Sequence, residues 1–212
     1  MNKSILLLLL FFLLNPFLLA TSHPLNPIPV TLSVADFGAA GDGLRYDTEA
    51  IQSAINSCPE GDPCHVTFPA PGKYLTATVF LKSGVVLNVE AGATILGGTR
   101  LEDYPEESWR WYVVVAENAT DVGIRGGGAV DGQAAKFVVR EDPRKNVMVS
   151  WNQTGACLGD ECRPRLIGFL DCNNVQVSNI TLNQPAYWWF VQLTISITFS
   201  FNRMNFFLPK YV

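Results

Sequence analysis

Charged and titratable side chains are scarce in this 212-residue sequence. Lys, Arg, Asp and Glu together make up 16% of the residues, there are two histidines, and the formal net charge is −4. The sequence contains no cluster of Lys and Arg, which nucleic acids and anionic membrane surfaces both favour in their partners. The composition therefore argues against these two classes of partner. The 48% share of hydrophobic residues is enough for one domain with a large core.

An uninterrupted apolar segment of about 20 residues, which a membrane-spanning helix needs, is also absent. The apolar run Ile5–Leu14 follows one positive charge, Asn15-Pro16 interrupts it, and small residues at Ala20 and Ser22 suit a cleavage site. We expect residues 1–22 to be a secretory signal peptide, cleaved near Ala20 or Ser22. A retained membrane anchor is the alternative. Cleavage would leave a secreted chain with no membrane segment.

Five cysteines follow the signal segment, and no two of them have C-x-x-C spacing. Disulfides persist in oxidising compartments. The simplest connectivity therefore joins Cys58 to Cys64 and Cys157 to Cys162, each pair across one turn-rich loop. A zinc site is the alternative, but one histidine nearby is too few, so we expect neither metal nor cofactor. Cys172 is then either a buried thiol or a residue whose partner is missing.

Three N-x-S/T triplets lie beyond the signal segment and are compatible with glycosylation during secretion. They begin at Asn118, Asn152 and Asn179. The first two stand among polar turn residues, whereas Asn179 stands in a strand-like run. We expect glycans at Asn118 and Asn152 before Asn179.

Helical periodicity is confined to one short segment of the mature chain. A Pro-rich linker at 23–33 precedes it, and Asp47 or Thr48 can cap a helix whose apolar face includes Ile51 and Ile55. The preceding Gly41–Gly43 turn lacks the Lys-Ser/Thr of a phosphate loop, so we interpret it as a turn rather than a nucleotide site. A single amphipathic helix ahead of many strands suits the end cap of a solenoid, whose first coil otherwise exposes an unpaired edge.

Short strands follow one another from Val66 onward, with Gly, Asn, Asp or Pro between them. The absence of a second long helical pattern argues against a βαβ sheet and a TIM barrel. The pattern of a polar turn followed by V-x-V/I recurs at Asn118–Ile124 and Asn173–Ile180, which favours a parallel β-helix over a sandwich. We therefore predict an all-β parallel β-helix with a short capping helix.

Four blocks, in this order and spacing, resemble plant polygalacturonases of glycoside hydrolase family 28 over residues 34–192. The blocks are Phe37–Gly43 with Asp47–Ile55; Pro71–Thr76 with Leu81–Ser83; Gly127–Gln133; and Arg163–Leu166 with Asn179–Leu182 and Pro185–Trp188. The resemblance implies a right-handed parallel β-helix, hydrolysis of pectin, a pectic polysaccharide as partner and location in the cell wall.

The same resemblance implies catalytic groups that the sequence lacks. An inverting glycosidase needs one carboxylic acid and one carboxylate on opposite sides of the scissile bond. In this family they come from an Asn-Thr-Asp-type motif and an Asp-Asp pair, supported by Gly-His-Gly and Arg-Ile-Lys motifs, all downstream of the block at Trp188. The sequence has no Asp-Asp and no Gly-His-Gly, and its tail has no Arg-x-Lys. We therefore assign no catalytic residue.

The family pattern stops near Gln192. We expect residues 34–193 to be the N-terminal part of a β-helix that is truncated at its C-terminal end, followed by an atypical tail at 194–212. The tail is either foreign sequence or a last strand, because Ile195, Ile197 and Phe199 alternate with Thr and Ser. Both descriptions are compatible with each other.

Two sets of side chains invite a binding role, but we interpret the rings as core and turn packing and the cations as solvated surface, because nothing in the sequence shows that they share a face. Rings that could stack on sugars are Trp109, Trp111, Tyr112, Trp151, Trp188 and Trp189, and cations that could meet carboxylates are Lys82, Arg110, Lys136, Arg140, Arg144 and Lys145. The leading hypothesis is a secreted, monomeric polygalacturonase-family protein whose printed chain is inactive. The rivals are a non-catalytic β-helix that binds wall polysaccharide or a protein, and a product without function.

Overall fold

The computed structural model describes residues 28–140, 147–157, 162–187, 190–196 and 204–207. The predicted signal peptide lies outside them. The described ranges contain one α-helix, α1, at Thr48–Asn56. The strands are β1 Val30–Ser33, β2 Asp42–Tyr46, β3 Cys64–Phe68, β4 Gly72–Thr76, β5 Val79–Leu81, β6 Val85–Val89, β7 Ala93–Gly97, β8 Tyr112–Glu117, β9 Thr120–Arg125, β10 Ala129–Asp131, β11 Val138–Arg140, β12 Val147–Met148, β13 Arg165–Ser178, β14 Ile180–Asn183, β15 Phe190–Ser196 and β16 Met204–Phe207.

Two parallel sheets are built from these strands, and successive coils of the chain contribute to each. Sheet 1 has the order β1-β3-β6-β9-β13-β8-β5, with β15 also paired to β13, and sheet 2 has the order β16-β14-β10-β7-β4-β2. A separate β11–β12 pair is antiparallel. Parallel neighbours that recur coil after coil are the arrangement of a parallel β-helix, so the fold predicted from the sequence is confirmed and the sandwich is excluded.

Strict alternation of side chains explains why these segments form strands around one core. In β3, β4, β6 and β7 every second residue is buried. Inward side chains then stack from coil to coil, as in the row Val66, Leu87, Ile124 and Val177, whose members are at most 1% exposed. Full burial of such an aliphatic side chain stabilises by about 1.5–3 kcal/mol, so each row is a substantial part of the stability.

Asn and Asp residues make the corners between the strands. Asn118, Asp121, Asp171, Asn174 and Asn179 all have φ between 47° and 56°. Asn and Asp tolerate this left-handed region better than other residues with a Cβ atom. The polar residues that separate the strands in the sequence therefore turn the chain. Equivalent corners stack, since the backbone N–H of Asn118 donates to the carbonyl of Leu170, next to Asp171, at 2.9 Å.

Helix α1 covers the N-terminal part of the core, with Ile51, Ala54 and Ile55 buried. Asp47, one of the two predicted capping residues, is the N-cap residue of the helix, but its side chain makes no cap hydrogen bond. The carboxylate instead accepts from the amides of Ala40 and Gly41 at 2.7 and 3.0 Å, so it fixes the Gly-rich turn against the start of the helix. These two backbone amides already donate to a carboxylate and are not free to bind a phosphate, which argues against the nucleotide-site interpretation of the turn.

The ends of the predicted domain differ from the structure. Residues 30–33 of the predicted linker form β1, which pairs with β3. In the predicted tail, β15 continues to Ser196 and residues 204–207 pair with β14 in sheet 2. Most of the alternating segment on which the expected last strand rested lies outside the described residues, so that alternative stays a prediction.

A second, smaller core is formed by residues from three segments, which lie before β8, between β10 and β13, and after β14. The Trp151 ring is at its centre, with ring centroids 5.1 Å from Trp111, 5.7 Å from Tyr104 and 5.7 Å from Phe137. Cys162 and Ala186 complete this Trp151 cluster. It supports the segment that leads into β13 and the turn after β14.

Candidate functional site

An open groove of about 530 Å³ lies on one arm of sheet 1, formed by β3, β6, β9 and the C-terminal half of β13. Its floor includes the outward-facing residues His65, Val86 and Gln176. His65 pairs with Val86, Val86 with Gly123, and Gly123 with Gln176 on successive strands. The corners that precede these strands form its rim, with Asp62, Ser83, Thr120, Asp121 and Asn174. The groove follows the stacking direction of the coils.

His65 and Arg125 provide the basic side of this region. Nη2 of Arg125 lies 3.3 Å from both ring nitrogens of His65. Burial of the ring lowers the pKa of His65, and the Arg125 charge lowers it further, so the imidazole is neutral at pH 7. The neutral ring is a hydrogen-bonding group, and the fixed positive charge belongs to Arg125.

The polar rim is held together by its own hydrogen bonds. The amide of Asn174 donates to the Asp121 carboxylate across two coils. The backbone N–H of Thr120 donates to Oγ of Ser83 at 3.0 Å, and that of Gly84 donates to the carbonyl of Thr120 at 2.9 Å. Amide, hydroxyl and imidazole groups in an open groove suit a ligand rich in hydroxyl groups. No group of three His, Cys, Asp or Glu side chains in the described ranges could hold a metal ion.

The half-buried and buried carboxylates that the structure describes have structural partners. Asp103 accepts from the Tyr46 hydroxyl at 2.7 Å and pairs with Arg100 at 3.0 Å. Asp131 accepts from the backbone N–H of Gln133 at 2.7 Å, and burial raises its pKa. Asp171, at a corner, is exposed. Asp160 lies outside the described residues.

Both predicted cysteine pairs are close and bonded in the structure. The Cα atoms of Cys58 and Cys64 are 5.8 Å apart, and those of Cys157 and Cys162 are 6.1 Å apart. Both separations are in the range that a disulfide spans. Cys172 is buried and unbonded, and burial raises the pKa of its thiol. The first pair joins the end of α1 to β3, and the second closes part of the Trp151 cluster.

The three predicted glycosylation residues occupy different surroundings. Asn118 and Asn179 are exposed at corners. Asn152 is half-buried in the 3₁₀ turn Trp151–Thr154, and its Oδ1 is buried with no hydrogen-bond partner among the described groups. Exposure thus favours Asn118 and Asn179 as acceptors, a different order from the one expected from the sequence.

Several rings and cations that the sequence analysis considered for sugar binding have structural roles. Trp111 and Trp151 are buried against each other. Nζ of Lys82 donates to the carbonyls of Asn56 and Cys58 at 2.9 and 2.7 Å, where it ends the helix α1 segment. Trp109 is 57% exposed.

The remaining described members of the two sets have different surroundings. Arg110 pairs with Glu117 at 2.7 Å. Tyr112 is buried, and Lys136 and Arg140 are exposed. Trp188, Trp189, Arg144 and Lys145 lie outside the described residues.

Three side chains now stand out that the sequence analysis did not select. In the sequence analysis, His65 is considered only as the one histidine near a cysteine pair, Arg125 is not named, and Arg165 is included only inside a family block. The alternation Cys64–Phe68 was a usable signal for the outward direction of His65. Nothing in the sequence signalled its pairing with Arg125, 60 residues away.

Comparison with known proteins agrees with this architecture. The family model described as "Rhamnogalacturonase A/epimerase, pectate lyase-like" matches residues 31–97. An exo-poly-alpha-D-galacturonosidase from Dickeya chrysanthemi is 27% identical over 203 residues, which cover 75% of this chain and 33% of that relative. The structure of the family 28 exopolygalacturonase of Yersinia enterocolitica superposes with a TM-score of 0.62 at 23% identity, over 82% of this chain and 39% of the other.

A shorter similarity involves a protein whose name describes a different role. The plasmin and fibronectin-binding protein A of Streptococcus pneumoniae is 41% identical over 75 residues, which is 35% of this chain and 10% of that protein. The chain is thus similar both to an exo-poly-alpha-D-galacturonosidase and to a plasmin and fibronectin-binding protein. It spans about a third of the length of the galacturonosidase, and the fold that it shares with the exopolygalacturonase structure is a parallel β-helix.

Proposed function

We propose that the protein is a polygalacturonase-family protein, of the plant type that the sequence blocks resemble, and that it binds homogalacturonan. The observation that supports this best is the parallel β-helix together with a similarity to an exo-galacturonosidase that extends over 75% of the chain. The open groove adds a surface that fits an extended polymer, since it runs along the stack of coils and is lined by hydrogen-bonding side chains.

The proposed role of the printed chain is binding without hydrolysis. Hydrolysis with inversion needs two carboxyl groups that act as acid and base on one glycosidic bond, and this assistance is typically worth about 10²–10⁴-fold. The sequence has neither an Asp-Asp pair nor a Gly-His-Gly motif. Asp47 and Asp103 are engaged with backbone amides, Tyr46 and Arg100.

The cellular setting is part of the same proposal. We infer secretion to the cell wall from the N-terminal segment and the paired cysteines, with both disulfides formed, glycans on the exposed triplets and a monomeric state. Within the described ranges, no helix has the length and apolar character that a membrane crossing requires.

The test is a pair of measurements on the purified chain. Calorimetric titration with polygalacturonate should show binding, and a neutral galactan of the same length should bind more weakly. Reducing-end release from polygalacturonate should not exceed that of a full-length relative whose acid pair has been mutated. Release clearly above this blank would refute the inactive state, and equal affinity for both polymers would refute recognition of the uronate.

A non-catalytic protein-binding role is the second candidate, and the similarity to the plasmin and fibronectin-binding protein favours it. The two roles differ in ligand. Binding of fibronectin or plasmin by the immobilised chain, with no retention of polygalacturonate, would support the second role and exclude the first.

A further inference from the structure

A strip of alternating rings and arginines crosses the other arm of sheet 1. Its members are Phe80, Trp109, Arg110, Tyr112, Arg165 and Tyr187, and we call them the arginine–aromatic strip. Continuity follows from the contacts, because Arg110 lies over Phe80, Phe80 packs against the cluster that contains Tyr112, and Arg165 lies over Tyr112. The strip is separate from the groove, which β3, β6 and β9 form.

The two arginines of the strip differ in their electrostatic partners. Nε of Arg110 is 2.7 Å from the Glu117 carboxylate, and its Nη1 is 3.7 Å from that of Glu107. The Arg165 guanidinium contacts two rings, with Cζ at 5.4 Å from the centroid of Tyr112 and at 5.4 Å from that of Tyr187. In the part of the chain that the structure describes, no carboxylate or carbonyl accepts from this guanidinium. Arg165 is therefore a positive charge without an acidic partner.

The surrounding residues hold Arg165 in a fixed position. Gly168 leaves room for the Tyr112 ring, since a Cβ atom at this position would lie 2.6 Å from it. Tyr112 is further fixed by Val115 and Leu170, with which it forms a small apolar cluster. On the other side, Nε of Arg163 donates to the carbonyl of Ala186 at 2.6 Å, which anchors the turn that contains Tyr187. The guanidinium is thus oriented before any ligand arrives.

A guanidinium whose neighbours are rings keeps its in-plane N–H donors for a ligand. Its planar fork matches a carboxylate with two parallel hydrogen bonds, and such charge-assisted bonds are about twice as strong as neutral ones. Rings beside the charge also suit a sugar, which has apolar C–H faces. The exposed Trp109 offers such a ring further along the strip. A neutral sugar would leave the arginine without a partner.

We propose that Arg165 binds the carboxylate of a galacturonate unit and makes the arginine–aromatic strip a subsite for the acidic form of the polymer. This proposal rests on the proposed function and names the group that distinguishes acidic from esterified pectin. Esterification removes the negative charge that Arg165 would bind, so the strip selects unesterified stretches.

The experiment titrates the purified chain with a short oligogalacturonate and with its fully methyl-esterified form. We expect the acidic form to bind more tightly, and Arg165→Gln to weaken it by about tenfold to a hundredfold while leaving the ester unchanged. The matched control is Arg45→Gln, which removes an equal charge from an exposed arginine paired with Asp42 at 3.2 Å. Added salt should weaken wild-type binding of the acidic form more than binding of the ester.

Each outcome decides between the claims. Unchanged affinity of Arg165→Gln for the acidic oligomer would overturn the Arg165 proposal and leave the proposed function standing. Failure of the wild-type chain to bind either oligomer would overturn both. Thermal unfolding verifies that Arg165→Gln folds. If this variant does not fold, Arg165→Lys is used in its place. Because lysine keeps the charge but not the fork, we expect a smaller loss, and unchanged affinity would contradict the proposal.

Discussion

The groove and the arginine–aromatic strip lie on two arms of the same sheet and differ in whether their polar side chains already have polar partners. In the groove, Asp121 is bonded to Asn174, and His65 faces Arg125. In the strip, Arg165 contacts rings and no carboxylate of the described chain. A ligand of the groove must replace existing interactions, whereas a ligand of Arg165 adds new ones. The comparison teaches that a surface rich in polar residues is a weaker indication of charge recognition than a single oriented charge without a partner.

The largest expected effect is a loss of stability in the Trp151 cluster, which lies near the strip and not near the groove. Trp151→Ala removes the ring at the centre of the Trp151 cluster, which packs against Ala186 beside the strip. We expect the free energy of unfolding to fall by about 3–5 kcal/mol. Hydrogen exchange should show lost protection near residues 137 and 186 and retained protection in β3 and β6. The control is Trp109→Ala, a 57% exposed ring, which should change stability by less than about 0.5 kcal/mol. Uniform loss of protection in all strands would show that the two cores unfold as one.

The next effect compares one glycine from each region. A Cβ atom at Gly123, on the groove floor, would collide with the backbone oxygen of Gln176, whereas at Gly168 it would meet the side chain of Tyr112. A ring can move more easily than the backbone of a paired strand. Gly123→Ala should therefore cost about 3 kcal/mol and Gly168→Ala about 1 kcal/mol in urea unfolding. Gly168→Ala should also weaken binding of acidic oligomers, since it displaces the ring under Arg165. Equal costs would contradict this ranking.

Removal of the disulfides should have a smaller effect, and again a separate one in each region. Each closes a short loop, so the pair Cys58→Ala/Cys64→Ala and the pair Cys157→Ala/Cys162→Ala should each destabilise by about 2 kcal/mol. The second change should reduce hydrogen-exchange protection around Trp151 and leave β3 protected. Peptide mapping without reductant should recover both linkages from the wild-type chain. Free thiols at these four positions would refute the pairing.

The smallest effect concerns pH and the groove. Burial, and then the charge of Arg125, lower the pKa of His65 in the folded chain below its ordinary value of about 6.5. The unfolded chain therefore takes up the proton first, so the stability is complete above about pH 6.5 and declines as the pH falls below it. His65→Gln should flatten the stability profile between pH 7 and 5. A steeper decline in His65→Gln would mean that other groups dominate.

The sequence predicted the fold because the fold depends on local patterns. Alternation in segments such as Val85–Val89 sets one side chain inward and the next outward, and Asn or Asp at positions such as Asn118 and Asp171 makes the corners. A single helical segment was enough to predict α1. Local spacing also suggested the two cysteine pairs, which remain predictions for the protein in solution.

The site could not be predicted because it depends on pairing between coils of unequal length. His65 pairs with Val86, 21 residues later, but Val86 pairs with Gly123 after 37 residues and Gly123 with Gln176 after 53. Excursions such as the one around Trp151 change the interval each time. Without a constant period, no counting along the sequence brings these residues together, and the same holds for Arg165 and Tyr187.

Strand β13 runs without a break from Arg165 in the strip to Gln176 in the groove, although it bends at Asp171. Eleven residues of extended chain measure at most about 40 Å, which sets an upper limit on the distance between the two regions along the strand. A short oligosaccharide therefore samples one region, whereas a polymer long enough to span both would hold the second contact at a high effective concentration once the first had formed. Chain length, and not affinity for any single sugar, would then decide how long a polysaccharide stays on the protein.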